Sequence, residues 1–439
     1  MNIFECPFAL CARISGRNVA ITSSTRSWTY SECHLLIKGI AHTLKMAGVK
    51  FGERVALVPT KDFPTPLIFF ALFRLGAIAC PIDSQLPPTS FLHLLHALSP
   101  TYLIIPDGMG YSKIGHIVPI PFSQLAKSAA PISPPSFRIY LAKGTLATCL
   151  STSGSTGQPK IACHSLGNHY YSALGSSRYM PLKTTDHYLL SLPLYHIAGV
   201  AILFRTFLAG ATLLLSDDLG HPRATHLSLV PTQLCRLLER SPSRPFPQHL
   251  LCGGAPIPQT LYEQALRKGL GIYPSYGMSE MSSQIATNFS LGSFSLGHSL
   301  PYRELKVGEG GEIYVRGETL FQGYFHRERG LTLPLDDEGW FHTGDVGAYS
   351  PEGGLQIFGR IDRRFICGGE NIYPEEIESI LEGIEGVESA AVIPVADEEW
   401  GMRPVVHIKG DGGVSENTLK ALLALRLPKF KIPTSFYFS

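Results

Sequence analysis

The chain has 439 residues, of which 44% are hydrophobic and 16% are charged, and its net charge is +2. This length is too great for one ordinary hydrophobic core, so we expect two or more domains. The charge is nearly balanced and there is no basic block, so we expect no nucleic acid partner. The longest apolar stretches, 66–79 and 199–215, are interrupted by Arg74 and Arg205. Both fall short of the roughly 20 clean apolar residues of a membrane span, so none is expected.

Nine cysteines are scattered along the chain and none forms a CxxC pair. The first residues lack the basic region that opens a signal peptide. These features predict a cytoplasmic protein in a reducing compartment, without structural zinc.

Short apolar runs alternate with helix-length segments in the first part of the chain. Strands are predicted at 55–58, 77–81 and 102–105, with helices at 64–75 and 90–98. Such alternation favours parallel sheets that are covered by helices. A Pro- and Ser-rich stretch at 128–137 reads as a surface loop.

The next feature is a polar run at 151–160, which reads STSGSTGQPK and lies between the apolar runs 146–150 and 161–163. Its glycines let backbone N–H groups approach a ligand closely, and its hydroxyls and Lys160 add donors and a charge. Together these features suit a polyphosphate. The run is not a Walker A loop, because only two residues separate Gly154 from Gly157. The alternative is a solvated linker, which would not normally join two strands.

An apolar segment at 192–205 contains His196 and Arg205. A satisfied core histidine is one interpretation of His196. A buried arginine needs an anionic or carbonyl partner. Arg205 is therefore either part of a structural ion pair or a receptor for a substrate carboxylate.

The segment 276–280 ends in a single acidic residue. Beside a phosphate loop, Glu280 would suit Mg²⁺, which takes one or two carboxylates together with phosphate oxygens and water. Tyr276 would stack on a base. The alternative is a glutamate at a helix N-terminus and a core tyrosine.

Short strands and many glycines at 303–360 indicate a small β-rich subdomain. Within it, the Asp345 carboxylate and the Arg360 guanidinium would suit a ribose diol; the alternative is that Asp345 is a β-turn aspartate. A break between the predicted domains follows at 359–362. Beyond it, Gly368 and Gly369 would let a thin ligand approach the backbone closely. Helices at 374–381 and 416–425 and strands at 389–394 and 405–409 predict a small α+β domain.

Taken in order, these segments resemble the acyl-adenylate-forming superfamily of acyl-CoA synthetases, adenylation domains and luciferases. The resemblance covers nearly the whole chain. It implies an α/β fold: a large N-terminal domain of helix-covered sheets with a small β-rich subdomain (1–361), then a small mobile α+β domain (362–439). It also implies that a carboxylate attacks the α-phosphate of ATP, and that CoA then displaces AMP. The cofactors and co-substrates would be ATP, Mg²⁺ and CoA.

The resemblance also assigns roles to residues. ATP would be bound by Thr152, Ser153, Ser155, Thr156, Gly157, Lys160, Gly253, Gly254, Ala255, Tyr276, Gly277, Asp345 and Arg360. Glu280 would hold the metal, Asp362 would be the hinge, and Gly368 and Gly369 would border the CoA tunnel. Lys160, Glu280 and His196 would be the catalytic residues.

Within the superfamily, the segments 192–205, 225–234 and 275–287 are most similar to the o-succinylbenzoate–CoA ligases of menaquinone biosynthesis. Such a substrate has two carboxylates, so one stays anionic while the other is activated. Arg205 would bind the free carboxylate, and His196 and Ser282 would line the pocket. Another aryl or short-chain acid is the first alternative.

The superfamily normally carries a glycine-lysine motif beyond a strand like 436–438, whereas this sequence stops at Ser439. We expect the adenylation step to suffer most from the loss of that lysine. Three explanations of the missing motif remain open: a truncation, a replacement of the lysine by another cation, and a catalytically weak nucleotide-binding protein. The sequence also leaves open whether the protein is a monomer or a homo-oligomer.

Overall fold

A computed structural model describes residues 2–109, 114–126, 139–152, 160–239, 247–289, 294–410 and 413–439. The strands are β1 (Ile3–Glu5), β2 (Val19–Thr22), β3 (Ser27–Thr29), β4 (Arg54–Leu57), β5 (Ile78–Pro81), β6 (Tyr102–Ile105), β7 (Val118–Pro121), β8 (Tyr140–Ala142), β9 (Leu146–Thr152), β10 (Lys160–Ser165), β11 (His187–Leu189), β12 (Thr212–Leu214), β13 (His226–Leu229), β14 (His249–Gly253), β15 (Ile272–Met278), β16 (Ser283–Thr287), β17 (His298–Ser299), β18 (Arg303–Val307), β19 (Glu312–Gly317), β20 (Gly323–His326), β21 (Gly330–Thr332), β22 (Phe341–Tyr349), β23 (Leu355–Arg360), β24 (Phe365–Cys367), β25 (Glu370–Ile372), β26 (Val387–Asp397), β27 (Gly401–Gly410) and β28 (Phe436–Phe438).

The α-helices are α1 (Pro7–Ser15), α2 (Tyr30–Met46), α3 (Thr65–Leu75), α4 (Pro88–Leu98), α5 (Phe122–Ala126), α6 (Leu166–Ser177), α7 (Ile197–Leu208), α8 (Pro231–Glu239), α9 (Gln259–Arg267), α10 (Pro374–Glu382) and α11 (Glu416–Ala424). The strands and helices predicted from the sequence all correspond to elements of this set. The predicted loop at 128–137 lies outside the described residues.

Two large sheets form the first part of the molecule. One has the strand order β21-β20-β10-β9-β5-β4-β6-β7, and the other β17-β16-β15-β14-β13-β11-β12-β2-β3. Strands β4 to β7 pair in parallel, as do β11 to β15, which confirms the predicted parallel sheets. Antiparallel strands extend the first sheet at one end and the second sheet at both ends. The α/β fold expected from the sequence is therefore confirmed.

The two apolar stretches of the sequence are core elements. Almost every residue of α3 and α7 is buried, and both helices contribute to the largest hydrophobic cluster of the molecule. A helix that is apolar on all sides is stable when it is buried on all sides. In the described parts of the chain, each helix is too short or too polar to cross a membrane.

The β-rich region forms a sheet of its own with the order β18-β19-β22-β23, but β20 and β21 leave it and join the first large sheet. Strands β24 to β28 form the last sheet, which packs with α10 and α11 around a separate core. This arrangement agrees with a large first part and a smaller α+β part.

Helix α6 begins directly after β10 and is fixed at its start by a capping box. The Ser165 hydroxyl accepts the N–H of Asn168, and the Asn168 side chain accepts the N–H of Ser165. Asn168 also donates to the carbonyls of Glu318 and Leu320. The cap therefore joins β10 to the chain that leads into β20.

Cys149 on β9 and Cys163 on β10 lie opposite each other and are joined by a disulfide. The sequence did not predict this pairing. The two cysteines are 14 residues apart, and only the antiparallel register of the hairpin brings their Cα atoms to 4.3 Å.

Candidate active site

The polar run of the sequence begins at the end of β9 and finishes at the start of β10. These strands are antiparallel, with Thr152 opposite Lys160, and the Thr152 hydroxyl donates to the Lys160 carbonyl at 3.4 Å. Two of the predicted ATP-binding residues, Thr152 and Lys160, therefore lie at the mouth of one hairpin. The other predicted members, Ser153, Ser155, Thr156 and Gly157, lie outside the described residues.

Glu280 lies in a single 3₁₀ turn, Ser279–Met281, that follows β15, and it is 8% exposed. One carboxylate oxygen accepts a hydrogen bond from the Tyr324 hydroxyl at 2.6 Å. The Glu280 carbonyl accepts the N–H of Phe321 at 2.7 Å. Both the side chain and the backbone of Glu280 are therefore held in place.

Tyr324 connects Glu280 to the hairpin. It lies on β20, which pairs with β10, and the Lys160 ammonium stands 5.2 Å from the centre of its ring. Burial, the charge of Glu280 and the hydrogen bond to it raise the pKa of Tyr324, so the hydroxyl stays a donor. The sequence reasoning missed this residue, although a strand-like aromatic run at 321–325 was visible.

A buried carboxylate such as that of Glu280, which is linked to Lys160 through Tyr324, would suit Mg²⁺, because Mg²⁺ keeps water and phosphate oxygens as its other ligands. Among the residues that the structure describes, His, Cys, Asp and Glu form no cluster of three or more that could hold a metal by itself. The donor set around Glu280 therefore fits a metal that arrives with the nucleotide rather than one held by the protein alone.

The predicted ribose ligands Asp345 and Arg360 are neighbours on β22 and β23. The Arg360 Nη1 donates to one oxygen of Asp345 at 3.2 Å and to the Thr343 carbonyl at 3.0 Å. The Tyr276 hydroxyl donates to the other oxygen of Asp345 at 2.5 Å. Burial raises the pKa of Asp345, although both partners favour its ionised form. The structure thus adds Tyr276, which is 69 residues before Asp345 in the sequence, to the Asp345–Arg360 pair.

The predicted glycines pack closely against neighbouring strands. A Cβ at Gly253 would stand 2.5 Å from the Ser275 carbonyl oxygen, and one at Gly277 would collide with the Ser283 backbone. Gly254 has a φ of +83°, which disfavours other residues. Gly253, Gly254 and Ala255 lie at the end of β14, next to the strand that carries Tyr276.

Arg205 lies on α7, is 3% exposed, and has no carboxylate among its described partners. Its Nη2 donates to the Ser283 hydroxyl at 3.1 Å and to the Gln284 side-chain oxygen at 2.8 Å, whereas its Nε has no partner among the residues that the structure describes. Gln284 is oriented by a bond from its own amide to Thr287. The structural ion pair considered from the sequence is therefore not formed here.

Ser282, which is predicted to line the acid pocket, is fully buried, and its hydroxyl donates to the Thr319 carbonyl at 2.9 Å. The next residue, Ser283, is the serine that contacts Arg205. Both serines have positive φ, 55° and 110°. Strain of this kind persists where the surrounding structure enforces it, which is common in functional sites.

His196 is the N-cap residue of α7, the helix that carries Arg205. Burial lowers the pKa of His196, and the nearby charge of Asp83 opposes this effect, so the imidazole is neutral at neutral pH.

A second buried arginine, Arg303, was missed from the sequence. It donates to the backbone carbonyls of Gln284, Pro301 and Ser172. Burial and the charge of Arg205 lower the pKa of Arg303 to about 9. Two arginines thus contact Gln284, Arg205 at the side-chain oxygen and Arg303 at the backbone carbonyl, and neither has a carboxylate among its described partners.

Asp362, the predicted hinge, follows β23 and accepts a hydrogen bond from the Arg360 Nε at 3.2 Å. Gly368 and Gly369 form the turn between β24 and β25, with φ of 59° and 89°. A Cβ at Gly368 would meet the Trp400 ring, whereas Gly369 faces open space. The turn is therefore narrow on one side and accessible on the other.

A hairpin with Lys160 at its mouth, the Glu280 carboxylate beside it and a partly buried Asp-Arg-Tyr cluster are the features expected of a nucleotide-dependent enzyme of the AMP-binding type. The chain belongs to the AMP-binding enzyme family, whose model matches residues 8–325, and the model of that family's C-terminal domain matches residues 376–439. More narrowly, it belongs with the 2-succinylbenzoate–CoA ligases. It is 32% identical to that enzyme of Bacillus subtilis, over 97% of this chain and 92% of the relative. The Escherichia coli enzyme is also 32% identical, over 94% of this chain and 89% of the relative.

Solved structures agree with this placement. The o-succinylbenzoate CoA synthetase (MenE) from Bacillus subtilis, in complex with the acyl-adenylate intermediate OSB-AMP, superposes with a TM-score of 0.90 at 29% identity. The match covers 100% of this chain and 95% of that one. The same synthetase in complex with ATP and a magnesium ion gives a TM-score of 0.89, also at 29% identity and with 100% and 96% coverage.

Proposed function

We propose that the protein is an AMP-forming o-succinylbenzoate–CoA ligase. In the first step, a carboxylate oxygen of the acid attacks the α-phosphorus of ATP and pyrophosphate leaves. In the second, the CoA sulfur attacks the acyl carbon of the adenylate, and the bond to AMP breaks. The nucleophiles belong to the substrates, so the protein contributes mainly by positioning them and by stabilising charge.

The observation that carries the choice of acid is the environment of Arg205. A guanidinium that is 3% exposed and contacts only neutral groups in the described part of the chain is a buried charge without a counter-ion there. Such a charge is costly unless an anion joins it. A substrate with two carboxylates supplies that anion, because one carboxylate stays free while the other reacts.

The remaining site residues are proposed to act as follows. Lys160 contacts the phosphates at the mouth of the hairpin, and Asp345 and Arg360 bind the ribose. Tyr276 stacks on the adenine while its hydroxyl holds Asp345. Glu280 binds the metal, and Mg²⁺ at this position would neutralise charge on the phosphate oxygens.

His196 is proposed to line the pocket near the reacting carboxylate as a neutral imidazole. Gly368 and Gly369 are proposed to border the path of CoA. We place the domain boundary between residues 361 and 362, with Asp362 as the hinge. The change of sheet between β23 and β24 supports this boundary. We further propose that the enzyme acts in the cytoplasm, where ATP and CoA are available.

A screen of carboxylic acids tests the function. Pyrophosphate release and thioester formation are measured with ATP, Mg²⁺ and CoA, using o-succinylbenzoate, an aryl monoacid and a short-chain acid. Turnover with o-succinylbenzoate above the other acids is the expected result. A clear preference for another acid would mean that o-succinylbenzoate is not the substrate. No turnover with any of the acids, together with intact nucleotide binding, would indicate a catalytically weak homologue. Synthetic acyl-adenylate with CoA measures the second step separately.

A further inference from the structure

The strands of the hairpin, β9 and β10, carry Thr148 and His164, which belong to a buried chain of hydrogen bonds that the proposed reaction does not use. The Thr148 hydroxyl lies 2.8 Å from His169 Nε2 and 3.3 Å from His164 Nδ1. The other ring nitrogen of His164, Nε2, lies 2.7 Å from the Ser279 carbonyl oxygen. The side chains of Thr148 and His164 are completely inaccessible, and that of His169 is nearly so.

The direction of each hydrogen bond follows from the chemistry of the groups. The Ser279 carbonyl only accepts, so His164 carries its proton on Nε2. Burial lowers the pKa of His164 to about 4 and that of His169 well below its usual value, so both rings are neutral at neutral pH. His164 Nδ1 therefore accepts from the Thr148 hydroxyl, which in turn accepts from His169 Nε2.

The two ends of the His164 bond belong to different parts of the site. His164 lies on β10, the strand that begins with Lys160 at the mouth of the hairpin. Ser279 begins the 3₁₀ turn that carries Glu280, and its carbonyl also accepts the N–H of Ser282 at 3.0 Å. The His164 hydrogen bond is thus a direct link between the phosphate-loop hairpin and the turn of the metal ligand.

We propose that His164 is a positioning residue for adenylation, which holds the turn of Glu280 at a fixed place relative to Lys160. The inference rests on the proposed function, because it assumes that Glu280 meets a metal that is bound to ATP. If it is correct, the loss of the His164–Ser279 bond weakens binding of MgATP more than binding of metal-free ATP. A purely structural role would lower stability and leave that difference unchanged.

Two amide variants form a matched pair. In His164→Gln, the amide nitrogen takes the place of Nε2 and can still donate to Ser279. In His164→Asn, the amide reaches only to the place of Nδ1, so the bond to Ser279 is lost while the polar character stays. Thr148→Val is the control, because it removes the neighbouring hydrogen bonds and leaves the His164–Ser279 pair.

Affinities for ATP are measured by calorimetry with Mg²⁺ and with EDTA, and urea unfolding reports stability. We expect His164→Asn to weaken the binding of MgATP about five-fold or more, which is the size of effect that the loss of one hydrogen bond allows. The same variant should weaken the binding of metal-free ATP less than about two-fold. His164→Gln and Thr148→Val should keep the wild-type ratio of the two affinities.

The inference is overturned if His164→Asn keeps the wild-type ratio, or if all three variants change it equally. The measurement needs no acid substrate and no turnover. A wild-type enzyme that binds MgATP but is inactive with o-succinylbenzoate would therefore contradict the proposed function and leave this inference standing.

Discussion

Replacement of Arg205 by methionine tests the acid pocket, because methionine fills similar space without charge. In the wild-type site, Arg205 Nη2 donates hydrogen bonds to Ser283 and Gln284, and the buried Nε has no partner among the described residues. A free carboxylate of the substrate would take the remaining donors. The loss of a charge-assisted hydrogen bond costs about 1.5–3 kcal/mol, so we expect kcat/KM for o-succinylbenzoate to fall by roughly 10- to 150-fold.

The stability of this variant should behave differently. The wild-type guanidinium is a buried charge without a counter-ion, so its removal also removes a desolvation cost. We expect the free energy of unfolding of Arg205→Met to fall by less than about 1 kcal/mol, since only two bonds to neutral groups are lost. Urea denaturation at neutral pH measures this quantity.

The assay is the initial rate of pyrophosphate release at saturating MgATP, with o-succinylbenzoate and with an aryl monoacid. The monoacid has no second carboxylate, so its kcat/KM should change less than about three-fold if Arg205 contacts that group alone. Arg205→Lys keeps the charge without the planar fork and should be intermediate. Equal losses for both acids, or an unchanged kcat/KM for o-succinylbenzoate, would refute the reasoning.

Three further outcomes are expected. Tyr324→Phe deprives the buried Glu280 carboxylate of its donor, so urea unfolding in metal-free buffer should show a loss of about 2 kcal/mol, and saturating MgATP should reduce it. Because the pKa of His164 falls from 6.5 to about 4 on folding, the unfolded state takes up a proton first as the pH falls. The wild type should therefore lose about 2 kcal/mol more stability between pH 7.5 and pH 5 than His164→Gln. Gly277→Ala forces a Cβ against the Ser283 backbone; it should lower the melting temperature by several degrees in calorimetry, and an unchanged value would contradict this packing.

Much of the fold could be predicted from the sequence because its signals are local. The apolar runs and helix-length segments correspond to β4, α3, β5, α4 and β6. The pairing of Asp345 with Arg360 also follows from a single hairpin, since β22 and β23 are consecutive strands.

The residues that were missed depend on long-range pairing. Tyr324 reaches Glu280 only because β20 leaves its local sheet and joins β10. Arg303 reaches the Gln284 carbonyl across two different sheets. The contact of Ser283 with Arg205 forms where two consecutive serines have positive φ, which is unusual for serine. Such contacts are decided by tertiary packing, and no periodicity in the sequence records them.

The excursion of β20 and β21 into the first sheet has a mechanical consequence. The chain leaves the small sheet after β19, adds β20 and β21 to the large sheet, and returns to the small sheet at β22. Two covalent connections therefore join the two sheets, in addition to side-chain contacts. The frame that carries Lys160 and Asp345 therefore resists shear. Only one covalent connection runs from β23 to β24, so we expect any rotation of the last sheet relative to the others to occur there.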